Sequence, residues 1–127
     1  MLSFGLLATA VLRHTLAPGR VTWLRIEGAI AAYLLTGLIF AGAYDLVAAV
    51  TPPGAFLQNG TPVSAAALSG DFVFFSFVTL TTTGYGDLVP AHPVARWLAI
   101  LEAMTGQLYL AVVLARLVSL EISDRRG

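Results

Sequence analysis

Apolar residues gather along this chain into two long runs, with a short apolar run and a polar turn between them. The first long run, residues 28–50, continues from Gly28 to Val50 with Asp45 as its one charge. At 1.5 Å rise per residue such a helix is about 34 Å long, enough to cross a bilayer with some tilt. The second, residues 94–120, reads the same way and predicts a second span, interrupted by Arg96, Glu102 and Arg116. Between them lies an outer loop (residues 51–70) that opens on Thr51-Pro52-Pro53-Gly54. A phenylalanine-rich helix follows (71–81), about three turns long and too short to span. Ser69-Gly70-Asp71 offers it an N-cap. The polar stretch 82–87 comes next, and Pro90 and Pro93 close a return loop around His92, which is expected to face solvent.

Upstream, Met1–Leu12 is apolar but shorter than a span. No basic residue precedes it and Arg13 follows, a poor fit to a signal peptide. Residues 1–20 are read as an apolar segment and linker. The run is either an interfacial helix or, the reading we favour, the end of a further span. Pro18-Gly19 breaks the chain before residues 21–127, where Arg20, Trp23 and Arg25 suit a membrane interface. Asn59-Gly60-Thr61 fits a glycosylation sequon, a weak three-residue match.

The chain is 57% hydrophobic and 11% charged, a membrane composition. Its formal net charge is zero, so nucleic acid is not a suggested partner, and there are no cysteines for disulfides or thiolate chemistry. No nucleophile–base cluster or phosphate loop suggests an enzyme, a small-molecule substrate or an organic cofactor. All seven basic residues are arginines, and none lies between Thr51 and Pro93. The positive-inside rule therefore places both termini in the cytoplasm and stretch 82–87 outside.

Thr81-Thr82-Thr83-Gly84-Tyr85-Gly86-Asp87 resembles the selectivity filter of potassium channels. Around it, the chain from about Gly28 to Leu120 is similar to the two-helix pore module of prokaryotic members of that family. The resemblance implies an all-α membrane protein of two transmembrane helices with a re-entrant pore helix and filter loop. It further implies a homotetramer in a lipid bilayer, for example a bacterial inner membrane, with K⁺ bound in the filter and conducted passively. A conducting pore replaces the ion's water shell with rings of backbone carbonyls. Such carbonyls need alternating backbone handedness, which Gly84 and Gly86 supply cheaply. On this resemblance Thr82, Thr83, Gly84, Tyr85 and Gly86 form the filter, with the Thr82 hydroxyl innermost. Asp87 stands at the outer mouth, where carboxylates concentrate cations.

The same alignment assigns the surroundings. Phe74 and Phe75 fall where the family often has tryptophans beside the filter tyrosine, and are expected to form a cuff around Tyr85. Phe72 and Phe77 are expected to serve packing. Val78 and Phe75 replace side chains that pair with the filter aspartate elsewhere in the family. Glu102, a carboxylate within a span, is expected behind the pore helix, bonded to hydroxyls such as those of Thr79 or Thr81. Gly106 falls at the inner-helix hinge, where bending and close packing are equal readings. Gln107, Leu110, Leu114 and Val118 share one helix face that would line the inner cavity, with Leu114 and Val118 as an apolar gate. Three alternatives remain open: a weakly selective cation channel, a K⁺ transporter subunit, and a non-conducting membrane interaction module. The single filter loop argues against a transporter, whose family usually carries four in one chain.

Overall fold

The computed structural model describes residues 23–64, 68 and 70–124. The N-terminal apolar run therefore lies outside the described residues. The described residues form six elements, in order α1 (Trp23–Val50), β1 (Phe56–Gln58), β2 (Thr61–Val63), α2 (Asp71–Leu80), β3 (Leu88–Pro90) and α3 (Pro93–Asp124). Among the described residues, two stretches are long and apolar enough to cross a membrane, Ile26–Val50 and Pro93–Arg116. The fold is thus mainly helical, with two candidate spans and a short third helix. Residues 23–27 of the interfacial lead-in belong to α1 and join the 28–50 run without a break. α3 starts at Pro93, whose fixed φ suits a first helical position and whose missing N–H costs nothing there.

The chain divides into two compact units, residues 37–107 and a second made of the residues on either side. The first holds the described aromatic core. Tyr44 of α1, Phe56 of β1 and Phe72 and Phe75 of α2 are all buried, together with Leu68, Leu88 and Ala95. Their rings meet mainly edge to face: Tyr44–Phe75 and Phe56–Phe72 centroids are both 4.9 Å apart. Such geometries add about 0.5–1.5 kcal/mol per pair beyond burial. In the second unit, Tyr109 donates to the Ala29 carbonyl at 2.6 Å, and its ring lies 5.6 Å from that of Tyr33.

The outer segment departs from the loop expected of it. It carries a hairpin, and β1 is the central strand of an antiparallel sheet ordered β2-β1-β3. Asn59-Gly60 is its two-residue turn, with φ of 50° and 80°. Both central residues are left-handed, as a type I′ turn requires. The other edge of β1 pairs Gln58 with Leu88 and Phe56 with Pro90. The chain leaving stretch 82–87 is thereby held by the segment that precedes the short helix.

The N-cap of α2 falls within Ser69-Gly70-Asp71, as expected. Gly70 occupies it at φ 99°, with no side-chain cap bond. Asp71 instead sits in the first turn, where a carboxylate is favoured by the helix dipole, and accepts a hydrogen bond from Gln58 Nε2 at 3.2 Å.

Three glycines mark how closely the helices approach. A Cβ on Gly106 would collide with the Leu80 carbonyl, and one on Gly37 would lie 2.8 Å from the Phe77 ring. A Cβ on Gly42 would meet nothing within 4 Å. Overpacking costs about 1–3 kcal/mol, more when backbone must move. Alanine substitutions should therefore destabilise in the order Gly106 above Gly37, with Gly42 unaffected. Thermal unfolding of the three purified variants checks that order, and an indifferent Gly106→Ala would contradict the close approach.

Candidate ion-conduction site

The end of α2 prepares the stretch that follows it. Thr81 caps the helix, its amide bonded to the Phe77 carbonyl at 3.0 Å and its hydroxyl to the same oxygen at 2.7 Å. The next three amides turn back onto the helix end: Thr82 N–H reaches the Thr79 carbonyl at 2.9 Å, and Thr83 and Gly84 N–H both reach Val78, at 2.9 and 3.3 Å. Backbone handedness then alternates. Thr82, Gly84 and Gly86 have φ of 57°, 59° and 80°, whereas Thr83 and Tyr85 are not left-handed. Alternation of this kind turns successive amides to one side, where they form an electropositive concavity, and successive carbonyls to the other.

The carbonyls complete the picture. Among the described residues, those of Thr82 to Gly86 accept no hydrogen bond, and residues 81–87 are all exposed. A run of unpaired carbonyls is expensive when buried, and suits a place where another ligand takes them up. The next carbonyl, of Asp87, is tied again, accepting from the Asn59 amide at 2.8 Å. The exposed stretch therefore has a fixed end at each side. Thr82 is a β-branched residue in the left-handed region, where strain is of order 1–3 kcal/mol. Its hydroxyl donates to the Thr81 carbonyl at 2.7 Å and accepts from Gln107 Nε2 at 3.1 Å. The Thr83 hydroxyl meets that of Thr81 at 2.9 Å.

The supporting residues divide. Phe74 stacks on Tyr85, with centroids 6.0 Å apart and planes 3° from parallel. Phe75 is a correction: it does not join a cuff but is buried against Tyr44 and Phe56. Neighbours on a helix point about 100° apart, so one faces stretch 82–87 and the next faces the core. Glu102 is the second correction. Its partners are neither Thr79 nor Thr81 but the hydroxyls of Tyr44, at 2.6 Å, and of Ser76. Ser76 also lies 2.7 Å from the Gly37 carbonyl. One carboxylate of α3, fully buried, thus binds both α1 and α2. Thr79 is one turn beyond Ser76 on α2, and its carbonyl is engaged by Thr82.

Gly106 lies within an unbroken α3 and packs closely against Leu80. Gln107, Leu110, Leu114 and Val118 are exposed on α3, as are Leu101, Met104 and Leu108 on other faces. Asp87 is exposed. Tyr44, Ser76 and the Asn59-Gly60 turn were not foreseen as parts of the site. The Asn-Gly pair is a known hairpin signal, and Ser76 is the lone hydroxyl in an otherwise apolar stretch of α2.

A family model described as an ion channel matches residues 32–122. The chain belongs to this ion-channel family. Channels are not enzymes, and the site accordingly offers carbonyls and hydroxyls rather than an acid–base pair. Similar proteins include the inward rectifier potassium channel Kirbac3.1 of Paramagnetospirillum magnetotacticum, 41% identical over 80 residues, or 63% of this chain and 24% of that protein. Two pore potassium channel c of Oryza sativa subsp. japonica is 34% identical over 88 residues, 69% of this chain and 17% of the relative. Protein LctB of Geobacillus stearothermophilus is 40% identical over 70 residues, 52% of this chain and 50% of the relative. The aligned part of the chain spans at most half the length of these relatives.

Glu102→Ala should destabilise the channel, because it orphans the buried Tyr44 hydroxyl at a cost of about 1–3 kcal/mol. Adding Tyr44→Phe should then restore part of the loss, since no donor is left unpaired. Unfolding measurements on the two single variants and the double variant test this coupling. Additive losses would mean that the hydroxyl and carboxylate do not act as a pair.

Proposed function

We propose that this chain forms a potassium-selective channel in which four copies surround one axis and conduct K⁺ passively. The observation that carries the reading is the run of five unbonded carbonyls, Thr82 to Gly86, on a backbone of alternating handedness. Four such runs facing an axis make stacked oxygen cages that replace the hydration shell of an ion. The potassium-channel names of two of its relatives supply the ion. Asp87 would form an acidic ring at the outer mouth, and the electronegative C-terminal end of α2 would favour a cation at the pore centre. The exposed face of Gln107, Leu110, Leu114 and Val118 would line the inner cavity, with Leu114 and Val118 closing it by dewetting.

One filter loop supplies a quarter of a ring, and four copies of this chain would close it as a homotetramer. The exposed apolar side chains of α1 and α3 suit contact with lipid and neighbouring copies. Arginine placement favours cytoplasmic termini and an outward-facing filter, and a bacterial inner membrane is the natural setting for such a module.

A less selective cation channel is the second reading. It is favoured by Asp87, whose carboxylate has no hydrogen-bonding partner among the described residues, so the outer end of the filter rests on backbone contacts. Tracer Rb⁺ uptake into liposomes holding the purified protein, with Na⁺ and Ba²⁺ in comparison, separates the two. K⁺-driven uptake that Na⁺ cannot replace and Ba²⁺ blocks is the expected result. Gly84→Ala should abolish it, because a side chain at φ 59° is strained and the carbonyl alternation depends on that angle. Equal K⁺ and Na⁺ uptake would leave only the weakly selective channel.

A further inference from the structure

The contact between Gln107 and Thr82 has a consequence for the ion that follows from counting protons and lone pairs. A threonine hydroxyl carries one proton and two lone pairs. The proton of Thr82 goes to the Thr81 carbonyl at 2.7 Å. One lone pair takes the hydrogen bond from Gln107 Nε2 at 3.1 Å. A single lone pair is left for any cation at the inner end of the filter stretch.

We infer that Gln107 is a specificity-determining residue, which tunes the innermost oxygen ring by donating into the Thr82 hydroxyl in competition with a bound cation. The inference rests on the reading of Thr82–Gly86 as a tetrameric ion filter. An N–H group drawing on the same oxygen makes that oxygen a poorer ligand. The four donors, one per copy, therefore weaken the inner site and keep an ion from dwelling there. The carboxamide acts at a distance from the carbonyl rings above, since its one bond to the filter stretch is to the hydroxyl. Its reach depends on side-chain length: Gln107 is exposed on α3 and meets the hydroxyl with its terminal nitrogen.

Equilibrium block by Ba²⁺, a divalent cation of K⁺-like radius, reads the strength of this ring. Recordings are made from the full-length channel in planar bilayers with Ba²⁺ on both sides. Gln107→Met keeps an unbranched side chain of similar length and removes the donor. Gln107→Asn keeps the carboxamide but falls one methylene short. Both should tighten Ba²⁺ block, by roughly three- to tenfold, the equivalent of losing one ordinary hydrogen bond. On a Thr82→Ala background, which has no hydroxyl to tune, Gln107→Met should leave block unchanged. Thermal unfolding of each variant, measured alongside, separates a change in block from a loss of folded channel.

Unchanged or weakened block in Gln107→Met overturns the inference. So does an equal shift with and without the Thr82 hydroxyl, which would place Gln107 in direct contact with the ion. Tightening by Gln107→Met but not by Gln107→Asn would also overturn it, because polarity rather than the hydrogen bond would then be the cause. Absence of K⁺-selective, Ba²⁺-sensitive current in the wild-type protein would be a failure of the filter reading instead, and is seen before any variant is compared.

Discussion

A backbone that offers its carbonyls to a passing ion gives up the hydrogen bonds that would otherwise hold it in place. Five consecutive carbonyls, Thr82 to Gly86, make no hydrogen bond among the described residues. Their peptide units also alternate in handedness, which costs strain at Thr82 where the chain has a β-branched residue instead of glycine. Such a segment cannot stabilise itself. Everything packed around it is arranged to fix it from outside.

Three kinds of contact do this. At the inner end, the amides of Thr82, Thr83 and Gly84 fold back onto the last carbonyls of α2, so the helix terminus and the stretch satisfy each other. At the outer end, the Asn59-Gly60 turn presents an amide to the Asp87 carbonyl, and β1 pairs with the strand that follows. Behind the stretch, α2 is anchored by Ser76 and the Tyr44–Phe72–Phe75 cluster, and α3 reaches both through Glu102. In a membrane, where lipid is as apolar as the core, such polar links and close contacts carry helix association. Gly106 against Leu80 is the matching steric condition.

The two spans and the short helix between them were legible because length and uninterrupted apolarity are local properties of the sequence. The motif Thr82–Asp87 was legible because two glycines flanking a tyrosine imply an unusual backbone. Its supports were less so. The left-handed Thr82 has no composition signal, since threonine there is held by its neighbours rather than by its own preference. The hairpin is masked in the sequence: Asn59-Gly60 is a type I′ turn pair, but the prolines and small residues around it read as loop. Glu102 was recognised as a buried carboxylate, but its partners come from 58 and 26 residues away in sequence. Such partners depend on how three helices are set against one another, which periodicity does not state. Phe74 and Phe75 illustrate the same limit: adjacent and identical, they separate onto two faces once the helix has a direction.

On the proposed reading, the Thr82–Gly86 carbonyls of four chains bind K⁺ together. Its most direct test is a structure of the purified assembly from crystals grown in K⁺ and soaked with Tl⁺, whose anomalous scattering marks K⁺ sites. The expected result is a tetramer with a column of Tl⁺ peaks on the four-fold axis, each caged by carbonyl oxygens between Thr82 and Gly86. A well-ordered assembly with no such peaks, or with carbonyls of this stretch bonded to protein instead, would contradict it.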